Sequence, residues 1–148
     1  MKKILFIALL LVSLVSFART APAEVNEKVL KAFRETFSGA SEVVWHEYAE
    51  YFQANFKQGE IQLRAQYDAN GGLMRTMRYY GESQLLPNVV AKIRKKFGNR
   101  EIFGVTEVST ESDVRFVISL RDAKNWFIVN ADTSGNIELT DKYTRADN

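Results

Sequence analysis

The second half of the sequence repeats the first. Residues Tyr51–Tyr79 align without a gap against Arg115–Tyr143, at a constant offset of 64 residues. Phe52 meets Phe116, Asp68 meets Asp132, Gly71 meets Gly135, Thr76 meets Thr140 and Tyr79 meets Tyr143. Further towards the N-terminus the offset is 60: Val29 meets Val89, Phe37 meets Phe97 and Glu47 meets Glu107. A self-match at a fixed offset is one supersecondary unit used twice. The chain is thereby confined to architectures that can be built in tandem, with repeats over about residues 24–80 and 87–144.

Each repeat opens with a helical pattern. In Glu24–Phe37 the apolar residues Val25, Val29, Leu30, Phe33 and Phe37 recur at three- and four-residue steps and form one stripe. In Pro87–Phe97 the series is Val89, Val90, Ile93, Phe97, with Pro87 where a first helical turn tolerates it. Gly39 and Gly98 follow as stop signals.

Four strands are predicted after each helix. In the first repeat they fall near Val43–Tyr48, Tyr51–Lys57, Ile61–Tyr67 and Leu73–Tyr79. In the second they fall near Ile102–Val108, Asp113–Leu120, Asn125–Ala131 and Ile137–Tyr143. The segments 57–60 and 121–124 read as hairpin loops. Asp68-Ala-Asn-Gly-Gly72 and Asp132-Thr-Ser-Gly-Asn136 read as tighter turns, Asp opening the turn and Gly supplying a positive φ. The extra residues of the second repeat fall between its first two strands, around Ser109–Asp113.

Positions apolar in both copies define the buried strand face, because side chains alternate along a strand. The pairs are Phe52/Phe116, Ala54/Ile118, Phe56/Leu120, Leu63/Phe127, Ala65/Val129, Tyr67/Ala131 and Leu73/Ile137, with Val43/Phe103 and Trp45/Val105 in the first strands. Two helices over this face give an α+β, two-layer domain: two tandem helix-plus-four-strand units, one extended antiparallel sheet, both helices on one side.

On the opposite face the copies differ. The first carries Tyr51, Gln53, Asn55, Gln62, Arg64 and Gln66, an ordinary solvent face; the second carries Arg115, Val117, Ser119, Trp126, Ile128 and Asn130. A hairpin closing at Leu120/Asn125 sets Val117 opposite Ile128 and Ser119 opposite Trp126. That is a small apolar patch of the kind that marks interaction sites, unless a loop, the rest of the sheet or a second copy covers it. Burying Val117, Trp126 and Ile128 is worth roughly 1.5–3 kcal/mol each.

The N-terminus reads as a secretion signal. Lys2 and Lys3 precede the 14 apolar or small residues Ile4–Phe17, and Ser16-Phe17-Ala18 offers a cleavage site. Residues 1–18 are expected to be the signal peptide and 19–148 the mature domain, periplasmic or secreted. The stretch is shorter than the ~20 residues a bilayer span needs, so no stable membrane insertion is expected after cleavage. Taking Lys2 and Lys3 from the 20 basic side chains leaves 18 against 18 acidic ones. That balance provides no basic face for nucleic acid. With no Cys, burial alone must hold the fold.

No constellation for chemistry emerges. The single His, His46, lies on a predicted strand whose neighbour Glu47 points to the other face. The two Asp turns fail the calcium-loop pattern: Gly at position six and Glu at position twelve are Leu73 and Tyr79, or Ile137 and Tyr143. Glu47 and Glu107 sit half a molecule apart at equivalent strand ends. The basic cluster Lys92, Arg94, Lys95, Lys96 reads as a solvated helix face. No catalytic residue, metal ligand or cofactor is expected.

One pattern spans most of the chain past Ala18. Phe37 closes a helix; Gly39 and Ala40, then Val44 and Trp45, follow; Tyr51, Ala54 and Phe56 lie on a strand; Ala65, Tyr67, Asp68 and Gly71 form Ala-x-Tyr-Asp-x-x-Gly; Leu86-Pro87 precede Val90, Ile93 and Phe97. This order resembles the exported PepSY-like, β-lactamase-inhibitor-like proteins of Bacteroidetes. It departs from them at Ser38, where the family often has Pro. The resemblance implies tandem units in an extended sheet and an exported, non-catalytic binding or inhibitory module acting on an envelope or extracellular protein or peptide.

The expected binding residues are Arg115, Val117, Trp126, Ile128 and Asn130, on a monomer or weak homodimer. The alternative is a small-ligand carrier or sensor with a pocket between helices and sheet, lined from the ten Phe, six Tyr and two Trp. An enzyme on a similar scaffold would need titratable groups converging on the inner face.

Overall fold

The first helix, α1 (Glu27–Thr36), starts where Asn26 caps it: the Asn26 side chain accepts a hydrogen bond from Val29 N at 3.1 Å. In this computed structural model, which describes residues 23–146, the helix therefore starts three residues inside the predicted span. The expected signal peptide lies outside the described residues. The second helix, α2 (Pro87–Phe97), has the predicted bounds and stops at Gly98, whose φ of 67° is the left-handed conformation glycine favours.

The strands are β1 (Ser41–Glu47), β2 (Phe52–Gln58), β3 (Ile61–Tyr67), β4 (Leu73–Tyr80), β5 (Glu101–Thr110), β6 (Val114–Arg121), β7 (Asn125–Asp132) and β8 (Ile137–Thr144). They form one eight-stranded antiparallel sheet in sequence order, so β1 and β8 are its edges and β4 pairs with β5 at its centre. The residues by which the second half is longer extend β5 to Thr110 and make the loop closed by Thr110 N to Asp113 O at 2.9 Å. Among the described residues, no helix is long and apolar enough to cross a membrane.

The strand registers match across the two halves. Trp45 faces Ala54 and Glu47 faces Phe52 on β1·β2; Val105 faces Ile118 and Glu107 faces Phe116 on β5·β6. Both helices lie on the same side, each over its own core. Val29 and Phe33 of α1 pack on Ala54, Phe56, Leu63, Ala65 and Tyr67, all buried. Val89, Ile93 and Phe97 of α2 pack on Ile102, Val105, Ile118, Leu120, Phe127 and Val129. The rings of Phe33 and Phe56 meet edge to face at 5.0 Å. Each such aromatic pair adds about 0.5–1.5 kcal/mol beyond its buried area.

Three predicted core positions are exposed. Val43 is 37% exposed, Phe103 53% and Leu73 39%. A one-residue bulge explains the first two. Three steps along β1 (Ser41 to Val44) oppose two along β2 (Lys57 to Asn55), and two steps along β5 (Ile102 to Gly104) oppose one along β6 (Leu120 to Ser119). The extra residue breaks the alternation of faces, so Ile102 is buried and Phe103 turns outward. Leu73 opens β4 beside a third bulge, between its partner Tyr67 and the Gln66–Arg75 pair. Phe52, Trp45 and Ile137 are half-buried rather than core.

The Asp turns are tied to the helices. Asp68 Oδ1 accepts from Asn70 N and Gly72 N at 2.7 and 2.9 Å, and the Asn26 side chain donates to Ala69 O at 3.0 Å. In the second half Asp132 Oδ1 accepts from Asn136 N at 2.9 Å, and Asn88 and Lys92 donate to Thr133 O and Ser134 O at 2.9 and 2.8 Å.

Candidate functional site

The sheet face turned away from the helices is polar in its first half. Gln66 Nε2 donates to Gln53 Oε1 and Gln53 Nε2 to Asn55 Oδ1, both at 2.9 Å. Gln53 is 7% exposed, so the ordinary solvent face predicted is at this point an ordered amide ladder. Arg64 lies over the Tyr79 ring at 5.3 Å. Val44, Asn55, Lys57, Arg64 and Tyr79 line an open cleft of mixed polarity here.

The second half carries a different surface. All five predicted binding residues lie on it, but not in the predicted register. Val117 faces Asn130, Ser119 faces Ile128 and Arg121 faces Trp126. The hairpin closes two residues later than expected because Asp122 builds the loop: its Oδ1 accepts from Lys124 N and Asn125 N at 2.9 and 2.8 Å. These backbone donors, Lys124 N first, with the Asn125 and Arg100 side chains, hold the Asp122 carboxyl below the usual range. Arg121 is thereby a strand residue on the outer face.

Val117, Ile128 and Trp126 form a half-buried diagonal across β6 and β7. Arg115 and Asn130 are exposed at its far end, where Arg115 Nε donates to Asp113 Oδ2. At the near end stand residues that the sequence does not single out. The Arg121 guanidinium lies 4.3 Å from the Phe103 ring centroid and 5.7 Å from that of Trp126. Glu101 grips it from the side, with Nε to Oε2 at 2.7 Å and the second nitrogen to Oε1 at 2.8 Å. That grip lowers the Glu101 pKa. Tyr143 stands opposite Trp126 on β8 and is 56% exposed, and the Arg145 guanidinium approaches Trp126 to 5.8 Å. Phe103, Arg121, Trp126 and Tyr143 thus make an aromatic and guanidinium row across four strands.

Phe103 is hidden in the sequence because the alignment pairs it with Val43 as an apolar position in both copies. Arg121 is hidden because its counterpart Lys57 is an unremarkable residue near a loop. The signal that is available is compositional: Phe103 and Trp126 replace Val43 and Gln62.

On the helix side, the seam between the two cores holds titratable groups that the predicted core phase does not include. Tyr80 Oη donates to Glu107 Oε2 at 2.6 Å, and Arg78 reaches Glu107 at 3.2 Å. Burial first, then the Glu107 carboxylate, push the Tyr80 phenol well above its ordinary value. Tyr80 thus holds its proton through neutral pH, and the group clamps β4 to β5. Among the described residues, His, Cys, Asp and Glu make no cluster of three or more able to hold a metal ion.

No protein-family model and no curated protein matches the chain. Solved structures do. A BLIP-like protein from Bacteroides fragilis superposes with a TM-score of 0.67 at 16% identity, over 87% of this chain and 92% of that one. The fold is shared with BLIP-like proteins of Bacteroides. A DUF2874 family protein from Bacteroides ovatus gives 0.67 at 18% identity, over 84% and 91% of the two chains. A candidate periplasmic protein from Bacteroides eggerthii gives 0.66 at 12%, over 82% and 90%. At these identities the likeness is one of fold.

Proposed function

We propose that this chain is an exported, non-catalytic binding module, built from two copies of one helix-plus-four-strand unit, which holds a protein or peptide partner on the outer face of β5–β8. The carrying observation is the row Phe103, Arg121, Trp126, Tyr143. Exposed aromatic rings stacked with guanidinium groups are the side chains in which binding energy concentrates at interfaces. The row stands where the first half keeps an amide ladder. Glu101 already neutralises and orients Arg121, so the surface offers flat ring area more than net charge. That suits an aromatic or extended peptide segment better than an acidic one.

The exported setting rests on the basic and apolar N-terminal stretch. The inhibitor-like reading rests on the PepSY-like and β-lactamase-inhibitor-like resemblance and on the BLIP-like and DUF2874 neighbours. The matching registers of the two halves support the duplication. A small-ligand carrier finds less support, because Phe33, Phe56, Trp45 and Tyr67 fill the space beneath α1 with mutual ring contacts of 5.0–6.5 Å.

The test is capture of partners from an envelope extract by the mature chain. A Trp126→Ala, Val117→Ser double variant is compared with a Gln53→Ala variant on the other half of the same face. Loss of capture in the first and retention in the second is expected. Equal capture by both removes the site assignment.

A further inference from the structure

We propose that the chain associates with copies of itself head to tail, β8 of one copy pairing antiparallel with β1 of the next and so continuing the sheet. This rests on the edge strands and shares only Tyr143 with the partner surface proposed above.

The molecule contains a template for the contact. At the centre of the sheet β4 pairs with β5: Met77 faces Val108, Arg78 faces Glu107, Tyr79 faces Thr106 and Tyr80 faces Val105. The segment corresponding to the end of β4 is the end of β8, 64 residues on, and the segment corresponding to β5 is β1, 60 residues back. Both correspondences hold in the structure. Tyr79 faces Gln62 on β3 as Tyr143 faces Trp126 on β7, and Trp45, His46 and Glu47 meet β2 in the register in which Val105, Thr106 and Glu107 meet β6. Over Trp45–Glu47 the free side of β1 therefore presents the backbone alternation that β5 presents to β4, and over Asp141–Thr144, past the β8 bulge at Thr140, the free side of β8 presents the alternation that β4 presents to β5.

Carrying the central register over to the two edges sets Lys142 opposite Glu47, Tyr143 opposite His46 and Thr144 opposite Trp45. The side chains complement each other. Lys142 and Glu47 reproduce the sign of the Arg78–Glu107 ion pair. Among the described residues, neither has an ion-pair partner within its own chain, whereas Arg78 and Glu107 are paired at 3.2 Å. At the next inward-facing position the large residue changes sides: Tyr80 against Val105 at the centre becomes Thr144 against Trp45 at the edges. Trp45 is half-buried on the inner face against the first core, as Tyr80 is against the second.

The edges are otherwise poorly guarded. Natural sheets protect an open edge with bulges, charges or a covering segment. The bulge of β1 lies at Glu42, whose φ is 52°, outside the Trp45–Tyr48 stretch that would pair. The bulge of β5 lies at the corresponding place and does not prevent its pairing with β4. Val44 and Tyr48 at one edge and Leu139 and Tyr143 at the other are 55%, 46%, 44% and 56% exposed. The contact joins two different edges, so it is heterologous and each new copy leaves one edge of each kind open. With about 20–25° of twist per strand, successive copies turn about the sheet axis while advancing along it, and growth is open-ended.

The test is sedimentation velocity of the mature chain across a concentration series, with Glu47→Lys, Lys142→Glu and their equimolar mixture. Both residues are exposed, and circular dichroism checks each fold. The wild type is expected to sediment faster as concentration rises, each single variant to stay monomeric, and the mixture to associate again. Recovery follows because β1 of the first variant, made basic at position 47, meets β8 of the second, made acidic at position 142. The unchanged Lys142 of the first then meets the unchanged Glu47 of the second. A wild type that stays monomeric at every concentration overturns the proposal. So does association that survives either single reversal, as a symmetric β1·β1 or β8·β8 dimer would show, and so does a mixture that fails to recover.

Discussion

The rings of Phe103 and Trp126 meet edge to face, 4.9 Å between centroids and 84° between planes. The contact joins β5 to β7 across β6, and it exists because the β5 bulge turns Phe103 outward. Arg121 lies on both rings. A double-mutant cycle on Phe103→Ala and Trp126→Ala, read by urea unfolding, is expected to give a coupling of about 0.5–1.5 kcal/mol. Additive single effects would mean that the rings are separate in solution and that the row is no ordered surface.

Gly71 and Gly135 occupy equivalent turn positions with φ of 88° and 78°, yet they are expected to tolerate alanine differently. A Cβ on Gly71 would meet the Lys28 carbonyl oxygen, a backbone atom, at 2.9 Å; one on Gly135 would meet Lys92 Cδ, on a flexible side chain, at 2.8 Å. Both substitutions carry the left-handed penalty of about 1–2 kcal/mol. Gly71→Ala is expected to lose roughly 1–2 kcal/mol more, because α1 itself must shift. Equal losses by chemical denaturation would show that the first turn moves as readily as the second.

Much of the sheet is legible in the sequence because a period of two survives wherever pairing is regular. Ala54, Phe56, Leu63, Ala65 and Tyr67, with Ile118, Leu120, Phe127 and Val129, are buried as their matched positions require. The phase is lost at the bulges, since one inserted residue reverses inside and outside without changing the residue types around it. That is why strand alternation puts Phe103 in the core and misses the most distinctive side chain of the outer face. The β6·β7 register is lost to a single side chain, Asp122, whose hydrogen bonds choose the loop length. Lys142 and Glu47 are informative only once β1 and β8 are known to be edges, and a linear sequence does not state which strands lack a neighbour.

Tyr67 is fully buried, and its hydroxyl makes no hydrogen bond of good geometry among the described residues: the neighbouring Thr36 hydroxyl is committed to Ala32 O at 2.8 Å and offers only a weak contact. Burial raises its pKa accordingly. An unsatisfied buried hydroxyl costs on the order of 1–3 kcal/mol, while the ring packs against Phe33 and Trp45 at 6.5 and 6.4 Å. Tyr67→Phe keeps the ring and removes the orphan, so the variant is expected to be more stable by about 1 kcal/mol. A loss of stability in the same unfolding assay would mean that the hydroxyl finds a partner in solution.

The seam between the two cores sets an alkaline limit. An unperturbed phenol titrates near pH ~10, and burial with the Glu107 hydrogen bond holds Tyr80 protonated to higher pH in the folded chain. Above pH ~10 the unfolded chain therefore binds fewer protons than the folded one, and stability falls as pH rises. Below that point the contribution of Tyr80 is complete and constant. Buried Tyr67, and Lys57 through its hydrogen bond to Glu42, shift in the same direction and add to the slope. Tyr80→Phe removes one titrating group, so its unfolding free energy is expected to start lower at neutral pH and to decline less steeply above pH ~10. Denaturant unfolding of both proteins across the alkaline range measures this. Parallel curves would show that the phenol titrates alike in both states and that the Tyr80–Glu107 hydrogen bond does not hold in solution.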